Sequence, residues 1–188
     1  MIDGPRGYPG EGDAPEGAPA RLTVRRRGAH GSAAATVSLS AMAIEGTASS
    51  VIAAPIDDVY AVAADVERSP RWQPQFKRAE VLERDADGNQ TLVRMITDGK
   101  LRDLKSEMRF SYDPPVGLRW RQVKGELKSI EGSWTFEDLG DGTTRATYAM
   151  TVDLGRILGT VFRGPIVGIL RAQLIETMPG KLKRDIEG

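Results

Sequence analysis

The stretch VIAAPIDDVYAVAADVERSPRW, residues 51–72, decides how the rest of the chain is read. It opens at the end of a loosely alternating run, AIEGTASSVIAAP (43–55), which reads as a strand stopped at Pro55. A helix starts there. Pro55 suits the first helical turn, and Asp57 and Asp58 suit the positive end of a helix dipole. Ile56, Val59, Tyr60 and Ala63 recur at helical spacing and give the helix one apolar face. RSPRWQP (68–74) then breaks it and leaves Trp72 between two prolines. A large aromatic in so broken a connection has two readings. It is ordinary packing, or it closes one end of a pocket together with Phe76.

Beyond the break the pattern is that of strands. KRAEVLERD (77–85) and NQTLVRMIT (89–97) flank the turn signal DADG and read as a hairpin. In LRDLKSEMRFSY (101–112), Leu104, Ser106, Met108, Phe110 and Tyr112 share one face, and Lys105, Glu107, Arg109 and Ser111 the other. That is a half-buried strand with one wet side. After DPPVG, the run LRWRQVK sets Leu118, Trp120 and Gln122 against Arg119 and Arg121. SIEGSWTFEDL aligns Ile130, Gly132, Trp134 and Phe136; after GDGT, Ala146, Tyr148, Met150 and Val152 point inward. From residue 155 the period changes to helical, with Val161, Phe162, Pro165, Ile166, Ile169, Leu170, Gln173 and Leu174 on one stripe. Pro165 is placed to start this helix or kink it, and Pro179 to kink it again.

The absences narrow the chemistry. The chain has no cysteine and one histidine, His30, which lies outside the patterned region. Thiolate chemistry, cysteine or histidine metal sites and histidine-based triads are therefore excluded from the patterned part. No metal and no cofactor are expected, and catalysis would fall to carboxylates, Tyr, Lys, Arg or an oriented water. A formal net charge of zero provides no field for DNA. With no cysteine and no long apolar span, a cytoplasmic location is expected.

Residues 1–41 have a different texture. MIDGPRGYPGEGDAPEGAPA is rich in Gly and Pro with scarcely a large apolar residue, so a disordered Gly/Pro/Arg-rich extension is expected. Met42 directly precedes the first patterned residue, so the extension is either flexible or lies upstream of the true start. The composition of RLTVRRRGAHGSAAATVSLSA is that of a transit peptide, but the acidic stretch before it argues against import. Arg25, Arg26 and Arg27 offer a transient contact for a membrane surface or RNA; a short solvated charge run explains them as well.

The order strand, short helix, six antiparallel strands, long helix predicts an α+β fold. Its curved antiparallel sheet must bury one face against the C-terminal helix, leaving an apolar cavity where the two meet imperfectly. VIAAPIDDVYAVAADVERSPRW resembles the first strand and helix of the START-like, Bet v 1-like (SRPBCC) superfamily. The polyketide cyclase/dehydrase and coenzyme Q-binding Coq10-like proteins are members. The Ala-Pro before the helix, Tyr60 and Trp72 all fit. GSWTFEDLGDGTTRATYAM resembles that superfamily's late hairpin. The resemblance covers roughly residues 43–187, and the domain it implies is taken as residues 42–188. It implies a helix-grip fold around a hydrophobic cavity and ligands such as lipids, quinones or polyketides. It supplies no catalytic set that transfers to this sequence.

The candidate ligand-binding residues are Trp72, Phe76, Met108, Phe110, Trp120, Gln122, Trp134, Tyr148, Phe162, Ile166 and Ile169. Core packing accounts for each apolar one taken singly. Gln122, Tyr112, Tyr148 and Ser106 are more telling, because a polar group on a dry face needs a partner. Tyr112, Tyr148 and Arg102 are the candidate catalytic groups, with Arg102 also able to meet an anionic head group from a strand end. Asp57, Asp58 and Asp65 are explained by capping and solvation. Three function classes remain: a carrier of a hydrophobic small molecule, which is preferred; a polyketide cyclase, aromatase or dehydratase; and a macromolecular interaction module. Oligomeric state is left open.

Overall fold

A computed structural model of the chain describes residues 43–98, 102–155 and 165–188. Strand β1 (Ala43–Ile52) leads into helix α1 (Ile56–Ala64), capped at Pro55 with Asp57 and Asp58 in its first turn. Val59 and Ala63 are buried, and Ile56 and Tyr60 pack beside them, as their spacing requires. The break is a 3-10 segment, Val66–Arg71, that absorbs Pro70. Six strands come next: β2 (Phe76–Glu83), β3 (Leu92–Asp98), β4 (Asp103–Asp113), β5 (Gly117–Gly125), β6 (Ser129–Asp138) and β7 (Thr144–Asp153). All seven form one curved antiparallel sheet in the order β1-β7-β6-β5-β4-β3-β2. The β2–β3 turn is held by Asp85, which accepts from the backbone of Asp87 and Asn89 at 3.0 and 2.9 Å. Gly88 there has φ +86°, a conformation that favours glycine.

Alternation divides the sheet. The inner face carries Ile44, Ile52, Leu118, Trp134, Phe136, Ala146, Tyr148 and Val152 into the main core. A smaller cluster, Val66, Ala79, Val93, Met95 and Met108, lies toward β2 and β3, with Phe76 packed against it. The outer face is laced by ion pairs, including Arg94 with Glu107 and Glu80 at 3.0 and 3.3 Å.

The long C-terminal helix expected from periodicity is present and, among the described residues, runs in three consecutive segments. They are α2 (Pro165–Arg171), a π turn (Ala172–Glu176) and α3 (Met178–Glu187), with Pro179 in the first turn of α3 where its missing N–H costs nothing. The period is helical, but the buried stripe is displaced by about one residue. Ile175, Met178 and Leu182 are fully buried, whereas Gln173 is exposed and Ile169 is 58% exposed. The apolar residues 166, 167, 169, 170, 174 and 175 cover several sides of the helix, so spacing alone does not select the face.

The far end of α3 is fastened down. Arg71 donates to both carboxylate oxygens of Asp185, at 3.1 and 2.5 Å. Glu187 Oε1 accepts from the Ala53 backbone N–H at 2.7 Å, and Lys183 Nζ donates to the Val51 carbonyl at 2.7 Å. These contacts tie α3 to both ends of the α1 connection. Among the described residues, no helix is long and apolar enough to cross a membrane.

Candidate functional site

The inner face carries a nearly continuous run of rings. Trp72 meets Trp134 (centroids 6.3 Å apart), Trp134 meets Tyr148 (4.8 Å), Tyr148 meets Trp120 (5.4 Å), Trp120 meets Phe110 (6.2 Å) and Phe110 meets Tyr112 (6.4 Å). The rings after Trp72 come from alternate positions of β4–β7, which is why their strand register sets them side by side. The first half of the run is sealed: Trp72 is 7% exposed and Trp134 is buried. Trp120, Phe110, Tyr112 and Met150 are only partly buried, so the aromatic surface continues toward solvent.

One register line organises this open part. Gly46 pairs with Met150, Met150 with Gly132, Gly132 with Trp120, and Trp120 with Phe110, across five strands. The two glycines lower the floor, and each is covered by a side chain from elsewhere. The Trp120 indole lies over Gly132, and the Arg171 guanidinium from α2 lies over Gly46. Above Gly46 and Met150 is an open recess of about 360 Å3 bounded by Arg171. A second recess, about 410 Å3, lies among Glu80, Arg94, Lys105, Glu107 and Lys124 on the charged outer face, where Arg94 is already committed to two carboxylates. Neither recess is the enclosed apolar chamber expected between sheet and helix.

Polar groups on the inner face have distinct fates. Tyr112 donates to the Gln90 carbonyl at 2.9 Å, and burial pushes its phenol well above the usual range. The partner of the Tyr148 hydroxyl among the described residues is the Met150 thioether, at 3.1 Å, and burial raises the phenol's pKa too. Neither phenol ionises near neutral pH, so neither is tuned as a general base. Gln122 lies over Gly125 and donates to the Leu127 carbonyl at 2.8 Å; its Oε1 is buried with no partner among the described residues. Ser69 Oγ and Trp72 Nε1 share that condition. Arg102 stands exposed before β4, paired with Glu126 rather than facing the core. Among the described residues, no group of three or more His, Asp or Glu side chains is placed to hold a metal ion.

The structure thus brings together Met108, Phe110, Trp120, Gln122, Trp134 and Tyr148 on the inner face, with Trp72 packed on Trp134. Ile169 does not join them, because it is turned to solvent. Ile166 falls in the first turn of α2, and Phe162 lies outside the described residues. Gly46 and Arg171 were absent from the sequence-based candidates. A glycine in a strand is the one signal that pointed to a close approach there.

The fold is shared with solved proteins of low sequence identity. A START superfamily protein from Mycobacterium smegmatis matches with TM-score 0.66 at 19% identity, covering 76% of this chain and 97% of that one. A protein from Thermus thermophilus matches at 0.64 and 21%, covering 76% and 97%. The ZhuI aromatase/cyclase from Streptomyces sp. R1128 matches at 0.64 and 18%, covering 77% and 94%. At such identities the likeness is one of fold. No curated protein matches the chain by sequence. The family model described as polyketide cyclase / dehydrase and lipid transport matches residues 52–178. That span runs from the end of β1 to the first residue of α3 and includes every ring of the aromatic run, so the chain belongs to the polyketide cyclase/dehydrase and lipid-transport family.

Proposed function

We propose that this protein binds a hydrophobic small molecule, a lipid, quinone or polyketide-like compound, on the concave face of its sheet and acts as a carrier. The observation that carries this reading is the half-open apolar surface of Trp120, Phe110 and Met150, which continues the sealed core outward. A flat apolar molecule laid there removes apolar area from water at about 25 cal/mol per Å2. The thioether of Met150 adapts to irregular ligand shapes. Burial raises the pKa of the two phenols of the aromatic run, Tyr112 and Tyr148, so neither is available as a base near neutral pH. The test is native mass spectrometry of the full chain purified from its source, then denaturation and identification of what is released. A defined apolar adduct is expected. A clean mass, together with no binding to a panel of apolar fluorescent probes, would overturn the carrier reading.

A polyketide cyclase or aromatase is the second reading, favoured by the matching family model and by the aromatase/cyclase among the fold neighbours. In that case the surface shapes a reactive chain, and Tyr148 is the phenol nearest its centre. Tyr148→Phe, Tyr112→Phe and Arg102→Ala, assayed for turnover of a polyketide chain, decide it. Unchanged turnover in all three removes these groups from any mechanism.

A further inference from the structure

The recess over Gly46 has a chemistry of its own. A Cβ at Gly46 would stand 3.1 Å from Arg171 Nε and 3.3 Å from Nη2, so glycine lets the guanidinium sit closer to the β1 backbone than a larger residue would. Arg171 belongs to α2, while the floor beneath it belongs to β1 and β7, so the cation caps the mouth between helix and sheet. Its carboxylate contact among the described residues is Glu176, a single approach at 3.6 Å with both side chains more than half exposed. Exposed pairs of this kind contribute little and exchange readily. Glu45 borders the recess, but alternation points its side chain to the other face of the sheet. The apolar bed runs from this cation along Met150 and Gly132 to Trp120. Those three steps between strands span about 14 Å at about 4.8 Å each.

We propose that the protein's ligand carries a carboxylate, bound by Arg171 in the recess over Gly46, with a flat apolar body lying along Met150 toward Trp120. The inference rests on the reading of the concave face as a ligand surface. The planar guanidinium fork matches a carboxylate in two parallel hydrogen bonds, which a lysine at the same place would not reproduce.

The test compares 2-naphthoic acid with its methyl ester, which share the flat body and differ in the anionic end. Binding to the full chain near neutral pH is followed by calorimetry. The acid is expected to bind about tenfold more tightly than the ester, the size of one charge-assisted hydrogen bond at a partly exposed site. Arg171→Gln abolishes that preference and leaves the ester within about twofold of its wild-type affinity, because the exposed residue supports no core. Arg171→Lys restores part of the preference. Gly46→Ala shifts the guanidinium by a few tenths of an ångström and weakens the acid in the same sense, by less than Arg171→Gln. Equal binding of acid and ester, or equal weakening of both by Arg171→Gln, overturns the carboxylate assignment while the concave-face reading stands. If neither probe binds, both readings fall.

Discussion

The indole of Trp120 occupies the space that a side chain at Gly132 would need: a Cβ there would collide with Trp120 Cζ2 and stand 2.5 Å from Cε2. The two residues are register partners on β5 and β6, so the ring lies across its neighbouring strand toward Tyr148 on β7, 5.4 Å away. Gly132→Ala is therefore expected to lift the indole off the sheet at an overpacking cost of about 1–3 kcal/mol. Urea unfolding measures that cost. Acrylamide quenching checks its cause. The chain has three tryptophans, and Trp72 and Trp134 are buried, so a lifted Trp120 raises the accessible fraction by itself. An unchanged quenching profile would mean that the ring is not what the glycine accommodates.

The phase of the C-terminal helix is testable with two leucine-sized deletions. Leu182 is fully buried against the core, and Leu182→Ala should cost about 2–5 kcal/mol through lost burial and the cavity left behind. Ile169 faces solvent, and Ile169→Ala should stay within about 0.5 kcal/mol. Chemical denaturation of both variants distinguishes the observed stripe from the one suggested by spacing. Comparable losses at the two positions would mean that the face of α2 is turned inward.

Glu187 connects the end of α3 to the start of α1, and its carboxyl is held below the usual range. The main cause is the hydrogen bond from the Ala53 N–H, with Lys183 adding to it. A depressed native pKa means that the folded state resists protonation. The stabilisation is present above the ordinary carboxylate pKa and lost as pH falls through the native value. Glu187→Gln should lower the melting temperature at neutral pH. The difference from wild type should shrink on acidification from about pH 5 to 3. Melting curves across that range check it, and a gap that widens in acid would contradict the assignment.

Much of the architecture was open to reading because β4–β7 alternate over most of their length. A strand with one dry face must place every second residue on it, so Trp120, Gln122, Trp134 and Tyr148 could be assigned to the inner side from parity. Helix phase was not readable in the same way, since residues 166–175 are apolar on too many sides and a π turn interrupts them. The pairing of Gly46 with Arg171 was out of reach for a different reason. It is a tertiary approach between β1 and α2, and local periodicity carries no record of which helix residue crosses which strand. Parity marked Gln122 as a polar group on a dry face, but only the folded chain separates its satisfied Nε2 from its Oε1, which has no partner among the described residues.

The buried phenols give a prediction of opposite sign. Tyr60, Tyr112 and Tyr148 are all raised above the ordinary tyrosine pKa, chiefly by burial. A raised native pKa means that the folded state keeps the proton. Their contribution is complete below the unfolded pKa of about 10 and is lost as pH climbs through the native values. The native protein should therefore show suppressed phenolate absorbance in alkali until it unfolds, and then release it cooperatively. Tyr148→Phe keeps the ring against Trp134 and Trp120 and removes only a hydroxyl whose partner is a thioether. It should cost little at neutral pH, because the lost acceptor is weak. It should also flatten the fall in stability above about pH 10, because one proton fewer is released on unfolding. Parallel stability profiles of wild type and Tyr148→Phe from neutral to strongly alkaline pH test this directly. Identical slopes would show that Tyr148 already ionises in the folded protein, and that the concave face is wetter around that ring than its packing implies.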